Sequence, residues 1–211
     1  MKELLTEVDR FRTWAANTCY KHGEWECLYP EWNALYSAVL GFVANRETIA
    51  SWSSDEIEGV LYAIARNNED EQLAPDIREL NPAILVELAR ASLQTGEADG
   101  KWQLAKQLGQ LGRRDGEEVV LLKQFASDEN EYVRRQALSA LATLGSPDVE
   151  ALALEAWHRP HENQQWTRMM VLWCLHKVGS SQLNSLLSEA EQDSREYLRE
   201  YAQRLRRDEA G

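Results

Sequence analysis

Val133-Arg-Arg-Gln-Ala-Leu-Ser-Ala-Leu-Ala-Thr-Leu-Gly145 places Val133, Ala137, Leu138, Ala140, Leu141 and Leu144 at spacings of three and four. That period lays the apolar residues along one face of a helix, which must be buried against something else. Gly145 offers the left-handed backbone that commonly ends a helix, and Pro147 and Asp148 suit the opening of the next one. Two further segments end alike, Trp102 to Gly112 (WQLAKQLGQLG) and Thr167 to Gly179 (TRMMVLWCLHKVG). The three closing glycines, Gly112, Gly145 and Gly179, lie 33 and then 34 residues apart. A recurring unit of this length is too small to bury its own apolar face and stacks on its neighbours, which is the logic of a solenoid.

The same periodicity predicts helices over 2–16, 31–45, 54–67, 82–94, 99–111, 116–126, 130–144, 147–157, 163–178, 181–191 and 194–208. No stretch shows sustained two-residue alternation, so the fold class is all-α. Pairing predicts four antiparallel hairpins: 82–94 with 99–111, 116–126 with 130–144, 147–157 with 163–178, and 181–191 with 194–208. An earlier pair, 31–45 with 54–67, reads as a divergent member. It is followed by an acidic insert, residues 68–81, that holds Pro75. The first helix is expected to cap the stack. The chain is thus expected to form a single domain over residues 1–211, with a divergent acidic part at 1–81 and regular hairpins at 82–208.

Residues 128–145 resemble the second helix of a HEAT repeat. The acid Asp128 is followed by Val133-Arg134 and then by Ala137, Ala140, Leu141 and Leu144 at helical spacing. Glu162 and Arg168 repeat the spacing, whereas the 99–111 helix has only Lys101 at the arginine position. The resemblance implies a right-handed α-solenoid of four to five hairpins, whose second helices line a concave surface. It further implies that the acid lies at a polarised helix start and that Arg134 bridges to a neighbouring loop.

Of 211 residues, 35 are acidic and 23 basic, a net charge of -12. Residues 1–100 hold 18 of the acids against 8 Lys+Arg, a net of -10. Phosphate backbones demand a basic footprint, so direct binding of nucleic acid is disfavoured. A basic protein is the better partner, because opposite fields speed encounter. The apolar runs fall far short of a membrane span, the N-terminus is charged rather than signal-like, and three scattered cysteines do not suggest a disulfide framework. Together these lead to the expectation of a soluble, cytoplasmic chain.

Catalytic signals are weak. Cys19, His22 and Cys27 lack a fourth ligand at a recognised spacing, His158 and His161 fall in a turn, and no phosphate loop, nucleophile elbow or paired-histidine helix is present. Cys174 falls on the apolar face of its helix and is expected to pack there. No cofactor or metal is expected. Of the eight tryptophans, Trp14, Trp25, Trp32 and Trp52 crowd the first quarter and Trp102, Trp157, Trp166 and Trp173 belong to the repeats. Aligning on the glycines puts Trp102, Arg135 and Met169 in one column, Lys106, Ser139 and Trp173 in a second, and Tyr132 and Trp166 in a third. Aromatic, arginine and methionine side chains are those enriched at interface centres, so these columns read as a protein-binding groove. The acids Glu69, Asp70 and Glu71 are expected to steer a basic partner toward it.

The expected function is therefore non-enzymatic binding of another protein. In size and charge the chain is similar to immunity proteins that neutralise basic nuclease toxins. HEAT-like enzymes of the DNA glycosylase or bilin lyase kind are the alternative, opposed in the first case by the acidic charge.

Overall fold

The computed structural model describes residues 2–19, 21–113, 116–160 and 164–210. His161 and Glu162, the second histidine of the turn and the acid matched to Arg168, lie outside the described residues. Among those described the regular structure is helical, with no strand. None of these helices is long and apolar enough to cross a membrane. The chain divides into two compact units, residues 1–111 and 112–211. The border falls just after the hairpin expected over 82–111.

The first unit contains α1 (Lys2–Asn17), α2 (Trp32–Ala44), α3 (Ser54–Arg66), α4 (Leu73–Leu80), α5 (Pro82–Thr95) and α6 (Ala98–Gln110). Short 3₁₀ turns at Trp25–Leu28 and Ile49–Ser51 punctuate its loops. Helix α1 packs on α2 and α3, α3 on α6, and α2 on α4, which packs in turn on α5. One layer is therefore α1, α3 and α6, and the other α2, α4 and α5.

This packing corrects two expectations. The acidic insert, for which the periodicity predicts no helix, holds one, because residues 73–80 form α4 and bury Leu73, Ala74 and Ile77. Pro75 falls in its first turn, where a missing N–H costs no helical hydrogen bond. The buried Asn67 accepts from the backbone N–H groups of Gln72 at 2.9 Å and Leu73 at 2.8 Å, which caps the new helix. Helix α2 accordingly finds its main neighbours in α1 and α4 rather than forming a hairpin with α3. The first helix pairs with α2 and also packs on α3.

The early tryptophans explain how α1 is held. Phe11, Trp14, Trp25, Tyr29, Trp32 and Tyr62 form one cluster in which Phe11 stands 4.7 Å from Tyr29 and 5.2 Å from Trp32. Trp14 stacks on Trp25 at 5.6 Å and 11°. Such ring pairs contribute beyond their buried area and here tie the loop before α2 onto α1. Trp52 is buried against Phe42, ring centroids 4.7 Å apart.

The second unit contains three hairpins, as expected: α7 (Glu117–Phe125) with α8 (Glu131–Leu144), α9 (Val149–His158) with α10 (Gln164–Lys177), and α11 (Leu183–Ala190) with α12 (Glu196–Ala210). Helices α8, α10 and α12 form one layer, since α10 packs against both others. Val133, Ala137, Leu138, Ala140, Leu141 and Leu144 are all buried. Gly145 has φ 68° and Gly179 φ 67°, and in each case the following N–H reaches back to a carbonyl inside the helix. Ser146 N–H donates to Leu141 O at 3.0 Å and Ser180 N–H to Leu175 O at 2.9 Å. A side chain at either glycine would be strained, which fixes glycine at the repeat boundary.

Candidate functional surface

Arg134 and Arg168, at matching positions of successive repeats, are structural. The Arg134 guanidinium donates to the carbonyls of Asp128 and Glu129, both at 2.7 Å. Burial and the nearby Arg159 push its pKa down. The bridge therefore runs to the loop of its own hairpin, and through carbonyls rather than a carboxylate. The Asp128 carboxylate instead accepts from Asn130 N–H at 2.8 Å, and it is Asn130 that caps α8. Arg168 reaches forward, to Asp193 in the loop before α12 at 3.1 Å, and its guanidinium lies 4.6 Å from the centre of the buried Trp157 ring.

Next to these arginines stand side chains that are turned outward. Asn130 and Asp128 set the start of α8, so that Tyr132 is half-buried at its first turn and Arg135 lies over the Tyr132 ring at 4.6 Å. The Nε of Arg135 donates to Glu131 at 3.0 Å. Glu131 is buried and also accepts from the Thr167 hydroxyl, which joins the first turns of α8 and α10. Trp166, next to Thr167, is 38% exposed and stacks on Tyr197 of α12 at 5.8 Å and 24°. Tyr197 is itself 60% exposed. Tyr132, Trp166 and Tyr197 thus occupy the starts of three successive helices of one layer. One turn further, Met169 and Trp173 are half-buried, and Lys177 lies 5.4 Å from the Trp173 ring centre.

The remaining expected surface residues belong to the first unit. Trp102 does not project: it is 5% exposed, on the buried side of α6. Its place at the head of the first column is therefore corrected. The glycine alignment gave its height along the helix, but packing set the rotation. Lys106 is exposed and forms an ion pair with Glu71. Glu71 has φ 51°, a left-handed conformation unusual outside glycine, at the turn into α4. Glu69 and Asp70 are exposed. With Glu24 they add to burial in pushing the Cys27 thiol up, which marks an acidic field over this part of the unit.

Sequence reasoning missed Tyr197 and Glu131. Tyr197 lies 31 residues after Trp166, short of the 33 and 34 residue spacings on which the columns are aligned. Glu131 was hidden by its charge, because acids are presumed exposed until a partner such as Arg135 is seen. Cys19 and Cys27 are exposed free thiols, while burial pushes Cys174 up to about 12.

No curated protein matches the chain. A family model described as HEAT repeats matches residues 83–160 and again 118–206. Most of the chain is thus spanned by matches to helical hairpins that generally serve as protein-interaction modules, and the chain belongs to the HEAT-repeat family.

Proposed function

We propose that the chain binds another protein through the aromatic face of its second unit, that the partner is basic, and that binding is not catalytic. The observation that carries this reading is the exposed Trp166–Tyr197 stack. Two large rings that stay partly exposed on the layer that also carries Tyr132 and Arg135 are costly for a monomer to keep, and such residues dominate binding energy when covered. Met169 and Trp173 extend the patch. Lys106 is taken up by Glu71 and Trp102 by the core, so neither belongs to it.

The basic character of the partner is supported by charge. The first unit holds 18 acids against 10 Lys+Arg and the second 17 against 13. Glu69 and Asp70 are free to steer a cation, and the net field would repel phosphate backbones. A cytoplasmic immunity protein that neutralises a basic nuclease toxin is the specific role that fits these features. The alternative of a DNA glycosylase-like enzyme loses its best aromatic candidate, since Trp102 is buried.

The test is affinity capture with the wild-type chain and with a Trp166→Ala, Tyr197→Ala double variant. A basic protein retained by the first and lost by the second, at unchanged thermal stability, supports the reading. Recovery of the same partners by both variants overturns the site, and tight binding of a DNA duplex at physiological salt overturns the function. For the immunity role, co-expression with the product of the adjacent gene should rescue growth if that product is a toxic nuclease.

A further inference from the structure

Gly41 lies in the interior of α2, an exposed position where a glycine weakens a helix relative to alanine. Two other glycines within helices of the same unit face a neighbouring helix. A Cβ on Gly59 would meet Val8 at 3.5 Å, and one on Gly100 would meet the Leu61 carbonyl at 3.4 Å. At both, an added side chain would touch another helix at ordinary van der Waals distance. At Gly41 nothing lies within 4 Å. Among the described residues no neighbour covers this position.

What faces the open position is a groove between α2 and α4. Its walls are Leu40, Gly41 and Ala44 on one side and Asp76, Glu79 and Leu80 on the other. Leu80 is 47% exposed, a large apolar side chain with no cover. The apolar floor is edged by acids along α4 only. Asp76 accepts from neutral groups, the Tyr36 hydroxyl and the Gln72 amide, so its charge is not cancelled by a contacting cation. Glu79 pairs at 3.1 Å with Arg78, which Gln107 also engages, and is itself largely exposed.

We propose that this groove is a second docking site, and that its occupant is an amphipathic helix of a partner protein. That helix presents small or apolar side chains toward Gly41 and Leu80, and Lys or Arg along the edge that meets Asp76 and Glu79. A helix lying on α2 can approach closely only where a side chain is missing, which is the role small residues play in tight helix packing. The acidic edge and the net negative charge of the unit select a cationic helix and disfavour a second copy of this acidic chain. The proposal is independent of the aromatic face in the second unit.

The test uses the full chain and fluorescein-labelled helical peptides of about 16 residues, long enough to cover α2. One peptide carries an Ala/Leu face flanked by lysines, and its control carries glutamates instead. Saturable binding of the lysine peptide, at least about tenfold tighter than the control, is expected. Gly41→Leu should fill the groove and weaken that binding by about tenfold or more, while raising the melting temperature by ~2–4 °C through better helix propensity. Gly41→Ala should raise it similarly with a smaller loss of binding. Trp166→Ala should leave peptide affinity unchanged, which separates this site from the aromatic face. Absence of saturable binding, equal binding of both peptides, or indifference to Gly41→Leu overturns the proposal. So does a dimer of the free chain that Gly41→Leu dissociates, since the occupant is then a second copy.

Discussion

Arg168 of α10 donates to the Asp193 carboxylate, 25 residues on, at 3.1 Å. The same carboxylate takes two further bonds from the Arg195 side chain, at 2.7 and 2.5 Å, and one from its backbone N–H at 2.9 Å. Asp193 thus locks α10 to the turn that opens α12.

The lock makes stability pH-dependent. The hydrogen bonds of Arg195 above all hold the Asp193 carboxyl at about 2, below its ordinary 3.8. A carboxyl whose folded value is depressed stabilises the fold above its unfolded value, and that contribution is lost as pH falls through the folded value. Urea melts from pH 6 to pH 2 should show stability declining between about pH 4 and pH 2. Asp193→Asn should lower stability at pH 6 and flatten that decline. An acid limb identical in the variant would show that other groups govern it.

Leu141 is fully buried within α8. Leu141→Ala should cost roughly 2 to 5 kcal/mol, the usual range for a large-to-small change that leaves a cavity. Chemical denaturation would check it, and a loss below about 0.5 kcal/mol would contradict the packing described here.

Adjacent arginines on α8 should differ in their effect on binding. Arg134 satisfies two carbonyls of its hairpin turn, so Arg134→Ala should lower stability by about 1 to 3 kcal/mol and leave partner affinity close to wild type. Arg135, lying over Tyr132 on the proposed face, should lower affinity, and its loss also removes the ion-pair partner of the buried Glu131 and so lowers the melting temperature. Calorimetry and titration of both variants would check this, and an affinity loss at Arg134 but not at Arg135 would place the binding face elsewhere.

Charge and aromatic anchoring should divide between the two rate constants. Glu69→Lys with Asp70→Lys should slow association and reduce its salt sensitivity, while Trp173→Ala should act chiefly on dissociation. Between about 0.05 and 0.5 M salt the screening length drops from above to below 10 Å, so wild-type association should slow markedly. Stopped-flow or surface-based kinetics with the captured partner would read both effects. Glu71→Lys is the less clean variant, because it also breaks the ion pair with Lys106.

What the sequence alone determined is local or repeated. The 3.6-residue period gave the helices, the closing glycines gave the left-handed stops at 145 and 179, and their spacing gave the three hairpins of the second unit. These follow from backbone sterics and from which residues share a helix face, both readable over a dozen positions. Tertiary structure decided how each helix is rotated and which neighbour it meets. Trp102 turned inward, Trp166 outward onto Tyr197, Lys106 reached back to Glu71, and residues 73–80 became a helix that claimed α2 from α3. Each of those outcomes depends on contacts across some 30 residues or more, or on a cap such as Asn67, whose energy exists only once the helices are packed. Periodicity names the residues on a face, and only packing says what that face is pressed against.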